Sequence, residues 1–157
     1  MRKNHRFVSE KTLFIVFSVL ATAVLCFIFT QSILSKQDSG ALSGRISALL
    51  KPILDPHDRI DAGVFHHLVR KAAHFTEFAA LGFCVVGATV NLGVLKGRKF
   101  VALPMWITLF CSVCDELLQY FTGRGSMVTD VVLDYSGALF GMAIMVVIHI
   151  LIRRCKQ

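Results

Sequence analysis

The sequence predicts an all-α membrane protein: a four-helix transmembrane bundle with both termini cytoplasmic and short amphipathic interfacial helices in its first outer loop. Three observations carry this. Hydrophobic residues fill 55% of the 157 positions and charged residues only 17%, outside the habit of a soluble domain. Four apolar stretches, 12–35, 72–95, 100–121 and 131–152, are long enough to cross a hydrocarbon core of about 30 Å. The Lys and Arg residues gather in short clusters beside those stretches, so the formal net charge of +7 reads as a topology signal and not as a nucleic-acid footprint. One domain spanning 1–157 accounts for the whole pattern.

In chain order, the flank 1–11 carries Arg2, Lys3, Arg6 and Lys11 against Glu10 alone. The 24 uncharged residues 12–35 exceed the apolar region of a secretory signal and read as an uncleaved first span. Residues 36–71 are too polar to span. Within them Leu42, Ile46, Leu49, Leu50 and Ile53 recur at helical spacing until Pro52 and Pro56 interrupt, and Val64, Phe65 and Leu68 suggest a second short turn. Both pieces are expected on the membrane surface. His57, His66 and His67 read as solvated surface histidines.

The second span, 72–95, contains one charged residue, Glu77, with His74 close by. The third, 100–121, ends on Asp115 and Glu116, and the fourth, 131–152, is closed by Arg153, Arg154 and Lys156. The flanks 1–11, 96–99 and 153–157 hold ten of the 17 Lys and Arg residues, which places all three on the cytoplasmic side. The segments 36–71 and 122–129 are then outside.

Helix rise brings the buried charges to one level. From Lys71, His74 and Glu77 lie about 5 and 9 Å inside, while Asp115 and Glu116 follow about 24 Å of the third span. Asp130 sits at the start of the fourth span and Asp134 one turn below it. Arg70, His74 and Glu77 share a stripe, as do Asp130, Asp134, Gly137 and Gly141, whose small-x-x-x-small spacing lets helix backbones approach closely. Asp115 and Gln119 share a face, but Glu116 points about 100° away, so one of the acidic pair is expected to look into the site. Three cations (Arg70, Lys71, Arg124) against five carboxylates (Glu77, Asp115, Glu116, Asp130, Asp134) leave an excess of two negative charges. Ionisable groups inside a membrane are expensive, about 2.5 to 3.5 kcal/mol each, and mark functional sites by default.

The five cysteines, 26, 84, 111, 114 and 155, fit neither a disulfide framework nor a paired zinc pattern. Cys111 and Cys114 form a lone C-x-x-C inside an apolar run and read as small packing residues.

The stretches RKAAHFTEFAALGF (70–83) and DELLQYFTGRGSMVTDVVLDYSGALFG (115–141), with FTQS at 29–32, resemble the VanZ-like family of bacterial integral membrane proteins. Lys71, His74, Phe75, Glu77, Asp115, Glu116, Gln119, Gly123, Arg124, Asp130, Gly137 and Gly141 occupy the family's pattern. Thr122 stands where a Pro often precedes Gly-Arg, and Asp134 where Asn is frequent. The resemblance implies a four-span protein of the bacterial cytoplasmic membrane, in a family whose namesake is associated with resistance to teicoplanin. It transfers no catalytic residue.

The favoured reading is a non-enzymatic envelope protein whose outward-facing pocket binds a lipid head group, a lipid-linked envelope precursor or a glycopeptide. Arg70, Lys71 and Arg124 would hold phosphate or carboxylate and the acids an amine. One alternative is an intramembrane metal-assisted hydrolase or transferase, with His74, Glu77, Asp115, Glu116 and Asp130 as candidate ligands. Another is an oligomeric transporter using Glu77 and Asp134 as protonatable sites. No cofactor is expected outside the divalent metal of the first alternative.

Overall fold

A computed structural model describes residues 10–33, 36–91, 99–123 and 127–155, with the side chains of 36–43 and 99–100 left aside. Five helices follow in order: α1 (Glu10–Ile33), α2 (Lys36–Leu54), α3 (Ala62–Asn91), α4 (Lys99–Phe121) and α5 (Val128–Arg154). All but α2 are long and apolar enough to cross a membrane, matching the four expected spans to within a few residues except at the start of α3.

There the structure corrects the sequence reading. The short turn expected around Val64 to Leu68 is the first part of a continuous 30-residue helix, about 45 Å long by helix rise, which outruns a hydrocarbon core of about 30 Å. Asp61 starts it: its carboxylate accepts the backbone N–H groups of Gly63 (2.8 Å) and Val64 (3.2 Å), the N-cap arrangement that satisfies otherwise orphaned donors. Similarly, Pro52 does not break the helix before it, since α2 runs through it to Leu54.

The α2–α3 connection is held by side chains. Asp55 is buried and accepts the backbone N–H groups of Arg59 (2.9 Å) and Ile60 (2.8 Å). These bonds, Ile60 before Arg59, hold its carboxyl below the usual aspartate range. Lys51 pairs with Asp58, whose backbone is left-handed (φ 49°). His66, expected to be solvated, is half-buried with Nδ1 at 3.2 Å from Ser47 Oγ, which ties α2 to α3; His57 is exposed.

Helix α3 is the centre of the bundle, packing against all four others and most extensively against α5. Ile28 of α1, Phe78, Leu81 and Val86 of α3, Cys111 of α4, and Ala138, Met142 and Met145 of α5 form the apolar core. Its Cys111 is a free thiol, in keeping with a packing role. The α3–α5 contact is close because glycines sit at it. A Cβ on Gly82 would lie 2.1 Å from the Ala138 carbonyl oxygen, one on Gly137 2.3 Å from that of Phe75, and one on Gly141 1.8 Å from that of Ala79. Gly137 and Gly141 thus have the packing role their spacing predicts. At the other face of α3, Gly87 accommodates the ring of Phe17, which also meets Phe83 edge-on.

Candidate functional site

The C-terminal ends of α1 and α4 and the N-terminal parts of α3 and α5 meet at one end of the bundle. Thr122 Oγ1 donates to the Ser32 carbonyl oxygen (3.1 Å), joining α1 to α4 there. Between the four helices lies the polar group anticipated from the sequence.

Asp115 is the most deeply set member, with no exposed surface. Ser32 Oγ of α1 donates to its Oδ1, and Gln119 Nε2, one turn along α4, donates to its Oδ2 at 2.8 Å. Arg70 Nη2 lies 3.5 Å from Gln119 Oε1, at the outer limit of a hydrogen bond, so α3 reaches the same network. His74 Nδ1 stands 3.9 Å from Asp115 Oδ2 and 3.7 Å from Asp134 Oδ1. Asp134 on α5 is 1% exposed, and neither of its oxygens has a hydrogen-bond partner among the described residues. One turn outward, Asp130 pairs with Lys71 Nζ at 3.2 Å.

Asp115 and Glu116 turn to different neighbours. Both are buried. Helix α4 touches α1, α3 and α5, so faces about 100° apart both meet protein. Asp115 turns toward Ser32 and His74, and Glu116 toward α5, where its Oε2 accepts the Met127 N–H (3.2 Å) at the start of that helix. A carboxylate there complements the positive end of the helix dipole.

Arg70, Lys71, His74, Glu116, Gln119, Asp130 and Asp134 line one cavity together with His67 and Leu133. It offers about 30 Å³ to the centres of water-sized molecules, where one water needs about 10 to 15 Å³. Two or three waters fit, or an ion with part of its hydration, or one charged group of a larger molecule. Beside it, an apolar groove between α4 and α5 is lined by Val113, Leu117, Tyr120, Met127, Val128 and Val131, and Glu116 belongs to both recesses. Leu117, Tyr120, Met127 and Val128 are strongly exposed, so the groove opens sideways from the bundle.

Of the remaining predicted site residues, Glu77 is half-buried on α3 and does not line the cavity, and Arg124 lies outside the described residues. The expected metal candidates divide. His74 and Asp115 form a three-residue group with Asp134, their ligand atoms within 4.8 Å of one another, whereas Glu77, Glu116 and Asp130 stand outside it. Sequence reasoning did not find Ser32 as a partner of Asp115, nor His67 as part of the cavity wall. The signal for Ser32 was its place near the end of the first span, at the level of the buried acids.

A sequence model of the VanZ/LLP1 family matches residues 14–150, a range that includes α3, α4 and every charged residue of the site. No curated protein and no solved structure matches the chain. With the match extending over most of its length and over both polar stretches, the chain belongs to the VanZ/LLP1 family.

Proposed function

We propose that this membrane protein holds the phosphate-bearing head group of a membrane amphiphile in the cavity between α3, α4 and α5. In this reading the site faces outward from the bacterial cytoplasmic membrane, both termini are cytoplasmic and α2 lies on the outer surface. The observation that carries it is the position of Glu116 at the junction of a small polar cavity and an apolar, laterally open groove. An amphiphile matches that pairing, with a charged group on one side and a hydrocarbon chain on the other.

Arg70 and Lys71 on the cavity wall support a phosphate, and the carboxylates Glu116, Asp130 and Asp134 beside them suit a cationic group bound with it. Lys71 is one-third exposed and stands in an ion pair with Asp130, its three ammonium donors within reach of a ligand, and Arg70 makes a long contact with Gln119. Planar guanidinium and ammonium groups on adjacent residues are suited to phosphate oxygens. Arg124, which falls between α4 and α5 in the sequence, is a third cation nearby in the chain. The enclosed space takes one charged group, so a glycopeptide would engage it only through an end group. A role in teicoplanin resistance would then run through the amphiphile.

Native mass spectrometry of the purified protein with phosphatidylglycerol or with diacylglycerol tests this. Phosphatidylglycerol is expected to be retained and diacylglycerol, which lacks phosphate, to be lost. The Arg70→Ala/Lys71→Ala double variant is expected to bind phosphatidylglycerol at least about tenfold more weakly, since charge-assisted hydrogen bonds contribute about 1.5 to 3 kcal/mol each. Equal retention of both lipids, or unchanged binding by the folded double variant, would overturn the proposal.

A further inference from the structure

Asp134 is not explained by the head-group reading. Asp115 beside it has a donor on each oxygen, from Ser32 and from Gln119, whereas both Asp134 oxygens lack a hydrogen-bond partner among the described residues at 1% exposure. A buried carboxylate in that condition is strongly destabilising unless a cation or a proton compensates it. Lys71, the nearest amine on the cavity wall, is engaged one turn outward with Asp130. The group facing Asp134 is His74, whose Nδ1 stands 3.7 Å from its Oδ1 and 3.9 Å from Asp115 Oδ2, beyond hydrogen-bond distance and within ion-pair range of both for a protonated imidazole.

We propose that His74, Asp115 and Asp134 form a binding site for a divalent transition-metal ion. One ligand comes from each of α3, α4 and α5, and the three ligand atoms lie within 4.8 Å of one another. Zinc bonds of about 2.0 to 2.2 Å put tetrahedral neighbours about 3.4 Å apart, so the His74 separations of 3.7 and 3.9 Å need only a few tenths of an ångström of contraction, and no pair of ligand atoms, all within 4.8 Å, needs more than about 1.4 Å. One imidazole nitrogen and two carboxylate oxygens form a donor set suited to Zn²⁺ or Mn²⁺. The two carboxylates neutralise the charge of the ion.

The surroundings have the form expected around a metal. Ser32 and Gln119 orient Asp115 through one hydrogen bond to each of its oxygens. His74 and Asp134 face the cavity, whose space for two or three waters would complete the coordination shell. Glu116 and Asp130, farther along the cavity wall, remain outside the ligand set. The site is independent of the head-group reading, although a metal there would add a third positive group to Arg70 and Lys71.

The test uses full-length, tag-free protein, stripped with chelator and purified in a maltoside detergent. That detergent carries no phosphate, so the outcome does not depend on lipid binding. Zn²⁺ is titrated by calorimetry and Mn²⁺ by electron paramagnetic resonance. One equivalent of metal is expected, with affinity reduced at least 100-fold in Asp134→Asn and in His74→Gln and retained in Asp58→Asn, an exposed carboxylate of the α2–α3 connection outside the cavity. Thermal unfolding of each variant separates loss of metal from loss of fold. Absence of stoichiometric Zn²⁺ and Mn²⁺ uptake by the folded wild-type protein overturns the proposal whatever the variants do, as does wild-type affinity in a folded Asp134→Asn.

Discussion

At the scale of single residues, the contact between Ser32 and Asp115 joins the first span to the site. Ser32 has no exposed surface, and its hydroxyl donates to a carboxylate with none either. Removing a charge-assisted hydrogen bond in a buried setting costs about 1.5 to 3 kcal/mol. Ser32→Ala is therefore expected to lower the thermal midpoint in detergent clearly. Thr30→Ala, two residues away, removes an exposed hydroxyl whose partner among the described residues is the Cys26 carbonyl of its own helix, and is expected to change stability by less than about 0.5 kcal/mol. Equal midpoints for the two variants would show that Ser32 contributes nothing to holding Asp115. The residue types of the site were legible because carboxylates in apolar helices stand out, and the Asp115–Gln119 pair because i, i+4 residues share a face. The pairing of Ser32 with Asp115 was not legible: periodicity reports facing within one helix and is silent on which helix lies opposite. The same limit left open which neighbour Asp115 and Glu116 each meet, since a helix packed on three neighbours has more than one inward face.

At the scale of elements, the distance between α3 and α5 decides whether His74 can face Asp134. The backbones approach through Gly82, Gly137 and Gly141, and at Gly141 an added Cβ would fall 1.8 Å from a carbonyl oxygen of the opposite backbone, which cannot rotate away. Gly141→Ala must push the helices apart, at a cost of about 1 to 3 kcal/mol as overpacking. It is expected to lower the thermal midpoint and to weaken metal binding by moving Asp134 away from His74. Gly44→Ala is the control: nothing lies within 4 Å of its Cβ, and in the helical context of α2 it should be neutral or stabilising by about 0.5 to 1 kcal/mol. The Gly137-x-x-x-Gly141 spacing predicted this interface, but Gly82 on the partner helix carries no such repeat and emerges only from the packing. The early start of α3 was readable in principle, since Asp61 is a favoured N-cap residue. Its polar first turns concealed it, because hydropathy marks where a helix is apolar and not where it begins.

At the scale of the whole molecule, the bundle has two chemically different ends. The acids, His74 and Lys71 gather where α1 and α4 finish and α3 and α5 begin, while Lys11 in the first turn of α1 and Arg153 and Arg154 in the last turn of α5 lie at the opposite end. Positively charged flanks are retained in the cytoplasm, which would turn the cavity outward, and the four-span count makes that orientation self-consistent. Cysteine labelling tests it directly. Cys155 is exposed just beyond α5, and His57 is exposed in the turn after α2. In a background whose other cysteines are replaced by serine or alanine, a membrane-impermeant maleimide is expected to reach His57→Cys in intact cells, and Cys155 only after permeabilisation. Labelling of Cys155 in intact cells with protection of position 57 would invert the bundle and turn the cavity toward the cytoplasm. The metal site would survive that inversion because it depends on side-chain geometry alone, whereas an outward-facing head-group site would not. The two proposals can therefore fail separately.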